Sequence, residues 1–86
     1  MAIAYLPVIT EKNYDAFQSI LQDAPATFEA WQQRQALRAM ELSSKGWRIE
    51  GVEIDPDEFA EECVATQTPR DLHSLDLFAL RTAAGR

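Results

Sequence analysis

Residues 47–58 read Trp47-Arg48-Ile49-Glu50-Gly51-Val52-Glu53-Ile54-Asp55-Pro56-Asp57-Glu58, a strand that runs straight into a helix start. The first eight are rich in β-branched and aromatic side chains, which suit a half-buried pleated surface. Their alternation slips at Glu50-Gly51. Ile49 is out of phase with Val52 and Ile54 unless one residue is inserted, so a β-bulge is expected at Gly51. Asp55 then offers a capping carboxylate, Pro56 fills the first helical position and Glu58 the third. Ile54 and Phe59 are placed to form a hydrophobic staple across the cap. The helix that follows should turn Phe59, Ala60, Cys63 and Val64 inward and end near Gln67.

On the C-terminal side, Thr68-Pro69-Arg70-Asp71 repeats the pattern of capping hydroxyl, proline and acid. It predicts a last helix with Leu72, Leu75, Phe78, Ala79 and Ala83 on one face, extended by Leu80 and closed by Gly85. On the N-terminal side, Thr27 caps a helix that should run to about Lys45, where Gly46 provides a left-handed terminus. This helix carries two apolar stripes. One holds Phe28, Trp31, Ala39 and Leu42; the other holds Ala30, Leu37 and Met40. Its polar arc is Arg34, Arg38, Glu41 and Lys45. Two stripes imply contacts on two sides. Before it, Thr10 heads a helix over about 11–23 with Tyr14, Phe17, Ile20 and Leu21 on one side. Residues 2–6 form a short strand that Pro7 ends or confines to an edge.

The expected fold is therefore α+β and mostly helical, in the order (β)-α-α-β-α-α, a single small domain over residues 1–86 with one short strand pair. A lone strand leaves its backbone groups unmet. The strand at 47–54 must pair either with residues 2–6 or with its own copy in a second chain across a two-fold axis. The chain has 86 residues, one cysteine and one histidine. It can form neither an internal disulfide nor a Cys/His zinc site, and a core this small gains from self-association. A homodimer is the expectation, with Trp31, Trp47, Ile49, Val52 and Ile54 as contacts.

The net charge of −6 opposes unspecific binding to nucleic acid or anionic membrane. The apolar run Met1–Ile9 lacks a basic leader and is interrupted by Pro7, so it reads as neither signal peptide nor membrane span. An unpaired thiol suits the cytoplasm. Charge is also unevenly placed: between Ile49 and Gln67 lie Glu50, Glu53, Asp55, Asp57, Glu58, Glu61 and Glu62, with no Lys or Arg. Capping and a solvated helix face are one account of this run; a docking surface for a basic protein is the other. Glu50, Glu53, Asp57, Glu58, Glu61, Glu62 and Trp47 are the partner-binding candidates. Asp55-x-Asp57 lacks the glycine and the distant glutamate of a calcium loop.

No catalytic, cofactor-binding or metal-binding residue is indicated. His73 with Asp71 and Asp76 is the one group from which a general base could be built, but no nucleophile accompanies it. Cys63 lies on an apolar helix face with no base or second thiol beside it in the sequence, so it reads as structural. The expected role is a non-catalytic protein–protein interaction or regulatory module acting through the acidic strand–helix surface.

The strand–helix–helix order of the C-terminal half, about 40 residues, resembles that of ribbon-helix-helix repressors. That resemblance implies a dimer that lays paired strands in the DNA major groove, and hence a DNA-binding regulator or antitoxin. The outward strand positions would then need hydrogen-bond donors for base edges. Here they offer Arg48, Glu50 and Glu53, and the two carboxylates oppose the phosphates.

Overall fold

The computed structural model describes residues 2–85 and has the element order β1 (Ile3–Val8), α1 (Glu11–Ile20), α2 (Phe28–Ser44), β2 (Arg48–Glu53), α3 (Pro56–Thr66) and α4 (Leu72–Ala84). The fold is mostly helical α+β, as the sequence predicts. The strands pair in parallel within the chain, from Ile3 opposite Arg48 to Val8 opposite Glu53. Parallel neighbours need a long crossover, and α1 with α2 supplies it.

One expectation about the sheet is corrected, and the choice between the two readings of Pro7 is decided. Its register is unbroken at Gly51, so no bulge forms there. Glycine suits the position for a different reason: a Cβ there would sit 2.7 Å from Val8 Cγ2, so the Val8 side chain would have to shift. Pro7 does not end β1 but lies inside it, on an edge strand, the second of the two readings. Arg48 N–H donates to the Ala2 carbonyl and Ile54 N–H to that of Val8. Even-numbered residues of β1 therefore carry the ladder, and the nitrogen of Pro7 falls on the outer edge, where no donor is needed. On that same edge the Pro7 carbonyl accepts from Gln35 Nε2 at 3.3 Å.

The core joins Ile9, Tyr14, Phe17, Leu21, Trp31, Val52, Ile54, Phe59, Cys63, Leu72, Leu75 and Ala79. Phe59 is its hub. Its ring centroid lies 6.3 Å from that of Phe17 and 5.7 Å, edge-on, from that of Phe78. Burying a side chain of this size contributes about 1.5–3 kcal/mol. Tyr14 adds an edge-to-face contact with Phe28 at 5.6 Å, and its hydroxyl donates to the Pro25 carbonyl. Burial pushes the Tyr14 hydroxyl pKa upward.

Helix ends follow local chemistry with two exceptions. Thr10 and Thr27 cap α1 and α2. At the far end of α2, Gly46 takes φ 91°; its N–H meets the Ser43 carbonyl and that of Trp47 meets Leu42, the paired closure a left-handed residue allows. Helix α1 stops at Ile20, short of the expected 23, because Leu21 turns to extended backbone and is buried. Helix α4 begins at Leu72 and is capped by Asp71, so the Thr68-Pro69 start does not form. Val64, expected inward, is 73% exposed, and Leu80 is exposed too. No helix among the described residues is long and apolar enough to cross a membrane.

Candidate functional site

Where β2 hands over to α3, Asn13, Glu53, Ile54, Asp55 and Glu58 line a shallow cleft of about 290 Å³. Each wall has a local cause. Ile54 and Phe59, both 1% exposed, clamp the chain as it turns into the helix, which is the predicted staple. Asp55 Oδ1 accepts from the Asp57 N–H at 2.8 Å and the Glu58 N–H at 3.4 Å. The pleat exposes Glu53, the cap fixes Asp55, and the first helical turn presents Glu58. Asn13 arrives from α1, about 40 positions earlier, and could not have been foreseen from local pattern.

The remaining acids divide by what they touch. Glu62 is engaged by Arg81 of α4 at 3.1 Å and Glu50 loosely by Arg48 at 3.9 Å. Asp57, Glu58 and Glu61 are exposed, and among the described residues none of the three is in an ion pair. The acidic segment thus offers an unneutralised face made of Glu53, Asp57, Glu58 and Glu61, beside a capped Asp55. Chemically this face can attract ammonium and guanidinium groups. Among the described residues no three His, Cys, Asp or Glu side chains converge as a metal ion would require.

Of the residues considered as dimer contacts, Trp31, Val52 and Ile54 are held in the core and are not free to meet another chain. Trp47 is exposed just after α2, and Ile49 is half-buried on β2. Their separation follows from the intrachain pairing, which turns Val52 and Ile54 inward together. The His73 group is also accounted for by contacts within the fold. Asp71 caps α4 through the Ser74 N–H at 2.8 Å, and that hydrogen bond holds its carboxyl pKa below the usual range. Asp76 pairs with Arg38 at 2.9 Å, while His73 is exposed.

Arg38, read from the sequence as part of the polar arc of α2, belongs to a polar chain within the fold. Gln35 Oε1 accepts from Arg34 at 3.0 Å and from Arg38 at 3.4 Å, while Gln35 Nε2 reaches Pro7. The chain ties β1 to α2 and, through Asp76, to α4. A larger cleft of about 590 Å³ lies between α1 and the start of α2, with Glu11, Asp15 and Glu29 among its walls. It too was missed, because its acids are spread over two helices and form no run in the sequence.

No protein-family model, curated protein or solved structure matches this chain.

Proposed function

We propose that this protein is a non-catalytic interaction module of the cytoplasm, a homodimer that docks a basic protein on its acidic strand–helix face. The observation that supports the reading is the cleft at the β2–α3 junction: Glu53, Asp55 and Glu58 line it together, and no Lys or Arg lies anywhere from Ile49 to Gln67. A partner presenting lysine or arginine would gain both steering and complementarity there. The lone buried thiol of Cys63 is compatible with a reducing compartment. The ribbon-helix-helix reading asks β2 to pair with its own copy. Because β2 pairs with β1 of the same chain, the interaction reading is preferred.

The test is affinity capture with the intact chain and with the charge-reversed variant Glu53→Lys/Glu58→Lys/Glu61→Lys, at low and at raised salt. The expected result is a basic partner retained by the first, lost by the second and weakened by salt. Capture of the same proteins by both chains would remove the acidic face from the mechanism.

A further inference from the structure

The two stripes of α2 have different fates. Trp31, Arg38 and Leu42 look into the fold. Leu37 and Met40 stand at 60% and 67% exposure on the opposite side, although both are large and apolar. They belong to a row of Ala30, Gln33, Leu37, Met40 and Ser44, spaced alternately by three and four residues, which is the spacing of a helix–helix seam. The row is flanked on one side by the small residues Ala36 and Ser43. On the other side lie Arg34 and Glu41, seven residues apart and so on one flank. Neither Arg34 nor Glu41 is in an ion pair among the described residues.

We infer that the outward face of α2 is the homodimer interface, with two copies of α2 packed antiparallel about a two-fold axis between Leu37 and Met40. The inference rests on the homodimer reading above and names its surface. A second copy is the occupant because the face is complementary to itself. In an antiparallel pair, like flanks of the two helices meet, so Arg34 faces the partner's Glu41 and Glu41 the partner's Arg34. Leu37 then packs against the partner's Met40, and Ala36 and Ser43 let the backbones approach. A parallel pair would set Glu41 against Ala36 and waste one of the two charges. Symmetry doubles every contact, as a closed dimer requires.

Sedimentation equilibrium of the full chain tests this. Wild type should move from 9.7 kDa toward twice that mass as concentration rises. Leu37→Glu and Met40→Glu should each hold it at the monomer mass with an unchanged circular dichroism spectrum, since both side chains are exposed. Arg34→Glu and Glu41→Arg should each weaken association about tenfold, and the double exchange should restore it. Leu77→Glu/Leu80→Glu, on the exposed side of α4, should leave association unchanged. A wild-type monomer at all concentrations would overturn both the homodimer and its interface. A dimer that survives Leu37→Glu and Met40→Glu, or yields to the α4 changes, would overturn the interface alone. A double exchange that fails to restore association would overturn the antiparallel pairing.

Discussion

Asp55-Pro56-Asp57-Glu58 and Thr68-Pro69-Arg70-Asp71 carry the same local instruction, yet only the first begins a helix where it says. The difference lies in what surrounds them. At the first, Ile54 and Phe59 are buried on either side of the cap, so the core holds the turn in place. At the second, Thr68, Pro69 and Arg70 are all exposed, and long-range hydrogen bonds take over. The Gln22 N–H donates to the Arg70 carbonyl at 2.8 Å, and the Leu72 N–H donates to Asp23 Oδ1 at 2.9 Å. These bonds from the α1–α2 connection hold the chain on both sides of Asp71, which is extended and caps α4. A capping pattern is thus a proposal that burial must second.

The largest effect is expected at Phe59. Phe59→Ala should cost about 3–5 kcal/mol in chemical denaturation, because it removes the staple and the hub of the aromatic contacts together. Loss of less than about 1 kcal/mol would show that the cap alone starts α3. Asp55→Ala should cost about 1 kcal/mol, read the same way, with the helix start otherwise unmoved. Asp71 provides a pH test. Its folded pKa is depressed by the Ser74 N–H, so its contribution is present above the unfolded value, about 3.9, and is lost as pH falls through the lower folded value. Wild type should therefore lose stability across that acid window more steeply than Asp71→Asn does. Parallel melting curves would show that Asp71 is not the working cap. Thr68→Ala should change stability by less than about 0.5 kcal/mol, since among the described residues its hydroxyl meets only Thr66; a loss like that of Asp55→Ala would mean that the two motifs behave alike after all.

Much of the architecture was legible in the sequence because it is written in short range. Helix periodicity, the Asp55 and Thr27 caps, Gly46 and the strand at 47–54 are all properties of a few consecutive residues. What was illegible depends on residues far apart. Pro7 reads locally as a strand end or an edge residue, and which of the two holds is decided by β2, some forty positions later. Gly51 reads as a bulge, but its role is set by Val8. Arg38 reads as solvated until α4 brings up Asp76. The candidate site divides in the same way. The acidic run could be seen directly, whereas the cleft needed Asn13 from α1, and the acids between α1 and α2 form no run at all.

Pro7 and Gln35 together have a consequence for how this sheet ends. An uncovered strand margin invites any extended peptide to add itself, the first step toward fibrous aggregates. On the β1 side that addition is blocked twice. The proline supplies no hydrogen where an incoming strand would need one, and the glutamine amide already occupies the neighbouring oxygen. The ribbon is thereby finished on that flank by one ring and one hydrogen bond and stays two strands wide there.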